Sequence, residues 1–295
     1  MAVAAEQARP LTAEVITMPK HRSISGRLSH SGMGALILLT VIVLAVLLGP
    51  MLWGQDPLWQ NNAVRLSDPT LAHPLGTDKF GRDIFARLLM GGRWSLFGAA
   101  VVCLGTSAAG FLIGAFAAMS SRRVDGVISR LIESLLALPG IVMALALTAV
   151  LGPSFSDLLF ALIVTSWPGY ARIYRALILK EREAGYVDST RSLGASEHHI
   201  VFRHMLPNVV GPAAVLATSN FGGVILGLAS LSFLGLGMQP PTPEWGVMIN
   251  EARAYFQTHP WQMIAPGLCI ALTVLAINLA GDALRDFLDP RTIRR

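Results

Sequence analysis

The chain has 295 residues, 53% of them hydrophobic and 14% charged, and its mean hydropathy is +0.55; ordinary soluble domains carry ~25% charged residues, so water alone is excluded as its solvent. The formal charge of +5 does not make it a nucleic-acid binder, because the basic residues fall between apolar runs rather than in one patch. Cys103 and Cys269 both lie inside apolar runs, which excludes a disulfide framework and a CxxC metal site.

Residues 1–32 lack the apolar centre of ~7–15 residues that a secretory signal needs, and Lys20, Arg22 and Arg27 precede the first apolar run. They read as a cytosolic tail leading into an uncleaved anchor. A hydrocarbon core ~30 Å thick is crossed by about 20 apolar residues, and six runs qualify: 33–53, 94–118, 127–150, 157–175, 209–235 and 262–283. The expected fold is therefore all-α and integral to the membrane, with six transmembrane helices. With the N-terminus inside, 16 of the 23 Lys and Arg fall on inner segments, six on outer ones, and Arg130 falls in the third run. That asymmetry predicts that both termini are cytosolic.

After the first span, residues 54–93 form an outer segment. From Lys79 onward, Phe80, Ile84, Leu88 and Leu89 alternate at helical spacing with Lys79, Arg82, Asp83 and Arg87, the pattern of a helix lying along an interface. Residues 94–295 make a core of five spans. Gly110 and Gly114 form a GxxxG suited to close helix packing. Pro139-Gly140 predicts a kink in the third span, and Glu133, three residues after Arg130, is expected to pair with it near the inner interface rather than to bind substrate. The fourth span is short and broken by Trp167-Pro168-Gly169, which places it inside the bundle. Glu133, Pro139 and Pro168 are the candidates for pathway-lining or kink residues.

The inner loop 180–207 is the most informative segment. Tyr186 to Leu193 reads as a short helix closed by Gly194. Ser196, after Ala195, is placed to cap a second helix with Glu197 in its first turn, and Pro207 is expected to stop that helix after Leu206. Tyr186, Leu193, Ile200 and Phe202 would be apolar residues exposed among polar ones, as at a docking surface for a soluble partner; from these residues alone a solvated connecting hairpin remains the alternative. His198, His199 and His204 do not make a metal site, since His199 and His204 are five apart and no carboxylate or thiol completes a set.

This loop resembles the EAA loop of ABC-importer permeases, where Glu-Ala-Ala is followed after three residues by Gly and nine residues later by Ile-x-Leu-Pro. Asp188-Ser189-Thr190 occupy the Glu-Ala-Ala positions, Gly194 follows, and His204-Met205-Leu206-Pro207 stand nine residues on. Ser and Thr for the paired alanines and His204 for isoleucine are departures; the RH-x-LPN ending is common among peptide permeases. HPLGTDKFGRD (73–83) with GRWSL (92–96), LSFLGLGMQPPTPEWGVMINEAR (231–253) and NLAGDALRDFLDPR (278–291) resemble the C-type subunit of dipeptide and oligopeptide permeases.

The resemblance implies a type I ABC importer permease fold in a bacterial cytoplasmic (inner) membrane. It implies a loop, with Tyr186, Asp188, Ser189, Thr190, Leu193, Gly194, Ala195, Ser196, Phe202, Leu206 and Pro207, seated in a groove of a separate ATPase. No Walker A loop is present, so ATP and Mg would belong to one or two ATPase subunits, with no cofactor and no catalysis on this chain. The other implied partners are a second homologous permease, the lipid bilayer and an extracytoplasmic peptide-binding protein touching 236–260, notably Pro241, Glu244 and Trp245. The cargo would be dipeptides or oligopeptides, with nickel chelates, glutathione or another small solute as the alternative. An intramembrane protease would need a Ser–His or paired-Asp constellation at membrane depth, which the six runs do not offer.

Overall fold

The computed structural model describes residues 30–288, and their regular structure is helical. All but the last three residues of the expected N-terminal tail, together with Arg291, Arg294 and Arg295, lie outside the described residues. The chain enters through α1 (His30–Trp53), whose stretch Gly32–Trp53 is apolar on every side, with only 11% of its central window buried in the protein. Pro50 has no N–H to give the carbonyl of Val46, four residues back. Arg93 supplies the missing donor: its Nε donates to Val46 O at 3.0 Å and its Nη2 to Leu47 O. The Trp53 ring meets Phe85 edge-on, 5.0 Å between centres.

Helix α2 runs from Ile84 to Met119 as 36 unbroken residues, capped by Asp83, whose carboxylate accepts from Ala86 N at 2.8 Å. This corrects the expected interfacial helix. Lys79 to Asp83 form a turn, and the amphipathic stretch from Ile84 is the start of the membrane helix itself. Its charges do not face headgroups either, because Arg82 and Arg87 are 1% and 2% exposed and are neutralised by carboxylates.

The third span is two helices, α3 (Arg122–Leu136) and α4 (Gly140–Leu151), meeting at 84° with Pro139 at the N-cap of α4. The expected kink is thus a full break. The expected Arg130–Glu133 pair does not form, and both residues are exposed. An exposed pair three residues apart is worth only a few tenths of a kcal/mol. The ion pair that closes α3 onto its neighbour is instead bidentate, from Arg175 of α5 (Phe155–Arg182) to Asp125, with Nη2 2.6 Å from Oδ2.

Helix α5 passes through Trp167-Pro168-Gly169 without interruption, against the expected break. Leu158 and Leu162 before the proline and Ala171 and Tyr174 after it are all buried, so packing on both sides holds the two halves in one helix. The main partner is α2, and the GxxxG explains the closeness: a Cβ on Gly110 would lie 2.5 Å from Tyr170 Cβ, and one on Gly114 2.6 Å from Ala171 O. Among the described residues four helices are long and apolar enough to cross a membrane, or five if α3 and α4 form one span. Helix α5 is not among them; at 28 residues it exceeds the ~20 needed, but it carries Asp157 in its first turn, an exposed Arg172 and Arg175 paired with Asp125.

After α5 come α6 (Gly185–Ser192), α7 (Glu197–Ile200) and α8 (Leu206–Phe233), followed by α9 (Trp245–Ala252) and α10 (Trp261–Leu288). Helix α7 does not stop at Leu206. It continues through a π turn, Val201–Met205, where Leu206 N bonds Val201 O, so that Glu197–Phe233 is one helical run. The wider turn accommodates Pro207, which sits in the first turn of α8. Three apolar clusters hold the bundle together: α1 with α2, α8, α9 and α10; α2 with α4, α5 and α8; and a third under α6 and α7.

Candidate functional site

The third cluster builds the loop. Val187 and Ile200 are fully buried with Ala118, Ile178, Val201, Met205 and Val209, so α6 and α7 are fastened to the ends of α2 and α5 and the start of α8. Ile200 is therefore an anchor, which corrects its expected exposure. Ala195 and Leu206 are half-buried against the same cluster.

The turn between the helices closes as a Schellman motif: Gly194 N donates to Arg191 O at 3.0 Å and Ala195 N to Thr190 O at 3.3 Å. Gly194 has φ +86°, and no atom lies within 4 Å of where a Cβ would be, so the backbone alone selects glycine. Ser196 caps α7, its Oγ accepting from His199 N at 3.4 Å. Arg191 spans the turn, donating to Asp188 at 3.0 Å and to Glu197 at 2.8 Å. Ser189 and Thr190 turn their hydroxyls back onto Gly185 O and Tyr186 O, 2.9 and 2.7 Å. Replacing two alanines by Ser and Thr therefore adds no outward donor.

Among exposed polar residues such as Arg191, Glu197 and His198 the loop also exposes large apolar side chains: Leu193 is 87% and Phe202 67% exposed, and Pro207 is exposed as well. Tyr186 is at the edge, its hydroxyl donating to Glu181 at 2.6 Å while Asn208 Nδ2 donates to both. Burial and the Glu181 carboxylate push the Tyr186 phenol above its ordinary value, so it stays an O–H donor. Glu181, Asn208 and Arg182, which donates to Ala118 O at the end of α2, are members that sequence reading missed; their polar character at the two ends of the loop was the available signal.

A second constellation lies around α9 and the start of α2. Glu244 and Trp245, expected to touch a binding protein, are 0% and 1% exposed and cannot do so; Pro241 is exposed. Glu244 caps α9, accepting from Val247 N at 3.1 Å and from Ser95 Oγ at 2.7 Å, and Trp245 Nε1 donates to Leu88 O at 3.0 Å. Burial pushes the Glu244 carboxyl up, against the lowering by these donors. Beside them Asp78, Arg82, Glu251 and Arg87 close a ring of charge: Arg82 bonds Asp78 at 2.6 Å and Glu251 at 3.0 Å, and Arg87 bonds Glu251 at 2.6 Å and approaches Asp78 at 3.6 Å. Arg87 Nη1 also donates to Pro241 O, and Gln262 of α10 to Thr77 O. The ring joins Asp78 and Arg82 of GTDKFGRD with Arg87 and with Glu251 of INEAR, residues that the sequence reading takes as parts of an interfacial helix or as likenesses rather than as ion pairs. Of the remaining candidates, Glu133 is exposed on α3, Pro139 marks the 84° break and Pro168 is buried in α5.

A multi-pass helical membrane component that exposes large apolar side chains on a rigid loop is the class these features define. The chain belongs to the family of binding-protein-dependent transport system inner membrane components, whose pattern matches residues 110–294. Its relatives include the dipeptide transport system permease protein DppC of Alkalihalophilus pseudofirmus, 39% identical over 87% of this chain and 84% of that one. The di/tripeptide transport system permease protein DppC of Pseudomonas aeruginosa is 40% identical over 89% of each. The glutathione transport system permease protein GsiD of Pectobacterium atrosepticum is 44% identical over 76% of this chain and 74% of that one. Among solved structures, a chain of the inward-facing MetNI methionine ABC transporter superposes with a TM-score of 0.57 at 19% identity, covering 68% of this chain and 96% of its own. The fold is that of a type I ABC importer permease, in a multi-pass inner-membrane protein.

Proposed function

We propose that the chain is the C-type permease of a bacterial importer of dipeptides or oligopeptides, forming the translocation pathway with a second, homologous permease. Energy reaches it from one or two separate ATPase subunits, which carry the ATP and Mg, through the surface around Gly194. The observation that carries this reading is the loop itself: Leu193 is held outward on a turn locked by a Schellman motif and by Arg191, and Phe202 is held outward on the π turn that follows the buried Ile200. Exposed apolar surface on a rigid, fully hydrogen-bonded support is what docking requires. The peptide cargo is supported by the names of the relatives above. Both termini and the loop lie on the cytosolic side in this reading, and a peptide-binding protein delivers cargo at the opposite end. Closure of the ATPases, passed through α6 and α7 to the ends of α2, α5 and α8, rocks this permease against its partner.

The test is ATP hydrolysis in liposomes holding this chain, its partner permease and the ATPase subunits. Stimulation by peptide-loaded binding protein is expected. Stimulation only by glutathione or a nickel chelate would keep the machine and change the cargo, and failure to assemble with any ATPase would overturn the reading.

A further inference from the structure

The outer segment leaves an apolar collar at one end of α1. Met51 and Leu52, in the last turn of α1, are 78% and 82% exposed, as lipid-facing residues of a span are. The chain then turns on Asp56, whose carboxylate accepts from Leu58 N at 2.8 Å and whose carbonyl accepts from Trp59 N at 3.2 Å. That turn presents Leu58 and Trp59, 41% and 69% exposed. Gln55 reaches across to Ala72, its Nε2 3.1 Å from the carbonyl, which pins the fully exposed Leu71 beside the same end of the helix. One exposed leucine needs no explanation. Five large apolar side chains gathered at the end of a membrane span, each on backbone held by hydrogen bonds, do.

We infer that this collar rests on the bilayer, its side chains in the boundary between headgroups and acyl chains. The patch is continuous with the lipid-facing surface of α1, so the same solvent meets both. A tryptophan beside the end of a span is the residue type enriched at that depth, where an amphipathic ring satisfies both phases. The acids of the segment are Asp56, whose carboxylate accepts from the Leu58 N–H, and the exposed Asp68, while the exposed Arg65 offers a cation to phosphates. The interfacial contact expected of residues 79–89 thus falls instead to 51–72, and Arg82 and Arg87 of the former stretch are paired in the ring with Asp78 and Glu251. The inference does not depend on the cargo or on the ATPase.

Leu71→Cys carries a fluorescent bimane on the full chain in nanodiscs of phosphatidylethanolamine and phosphatidylglycerol, with unsubstituted protein as the labelling blank for Cys103 and Cys269. Loss of fluorescence is expected with lipid bearing a nitroxide near the headgroup, less with the nitroxide at the chain end, and little with aqueous iodide. The same label at Trp59→Cys serves if the first variant misfolds. Quenching by iodide with silence from the lipid would overturn the inference, leaving the collar to water or a soluble partner. So would lipid quenching that disappears once the second permease is added, because the collar would then be a subunit contact.

Discussion

At Gly194 two effects that usually travel together are separated. The absent Cβ would meet nothing within 4 Å, while φ is +86°. Any L-residue there bears only the left-handed backbone cost, about 1–2 kcal/mol, and Asn bears less of it than a β-branched residue. Gly194→Val should therefore leave the protein inserted with its melting temperature little changed, yet distort the turn that presents Leu193 and lower peptide-stimulated ATP hydrolysis. Gly194→Asn should retain more. Equal activity of the Val variant and the wild type in the reconstituted complex would remove the turn geometry from the mechanism. This residue was legible in the sequence because its neighbours carry standard signals: a helix ending at Leu193, Gly at the turn and Ser at the next N-cap. Ile200 was not, because its burial depends on where α2 and α5 end, which no local pattern encodes.

Elements were legible where hydrophobicity decided them and illegible where packing did. The apolar runs located the major helices, but Pro168 and Pro207 were read as breaks and are not. In α5 buried residues on both sides hold the helix together, and before α8 a π turn takes up the proline. Pro139, by contrast, has few buried residues around it, only Ile132 on α3 and Ala144 and Thr148 on α4, and there the helix does break. Pro50 shows a third outcome, in which a partner from another helix supplies the donor. Arg93→Leu would leave the Val46 carbonyl without Arg93 as its donor in an apolar setting, at a cost of about 1–3 kcal/mol, and would free the end of α1 from α2. The expected result is a lower thermal midpoint and faster proteolysis near residues 54–56. Arg93→Lys should recover part of the loss, as Lys donates but cannot bridge two carbonyls with a planar fork. A midpoint unchanged in Arg93→Leu would show that α1 is held by apolar packing on α2 and α10 without the Arg93 bonds.

Across the whole molecule, two polar constructions occupy separate places in one bundle. The charge ring of Asp78, Arg82, Arg87 and Glu251 ties the outer segment, α2 and α9 together, while the Arg191 pairs organise the surface around Gly194. The ring's arginines are almost fully buried and the Arg191 pairs are exposed, so the ring carries stability and the loop carries contact. Removing one partner of a buried pair costs about 3–5 kcal/mol, here because two buried arginines would be left with Asp78 alone; the exposed Arg191 pairs are screened by water and contribute little. Glu251→Ala should therefore lower the thermal midpoint strongly while detergent-solubilised protein that remains folded still retains the ATPase subunits. Leu193→Asp with Phe202→Asp should do the reverse, because both side chains already face solvent: the midpoint should hold and the ATPase subunits should be lost on affinity purification of the complex. Loss of the ATPase from Glu251→Ala at temperatures where it is folded would mean that the two constructions are mechanically continuous through α2. In that case a disturbance of the outer segment would reach the loop directly, and the permease would behave as a single lever.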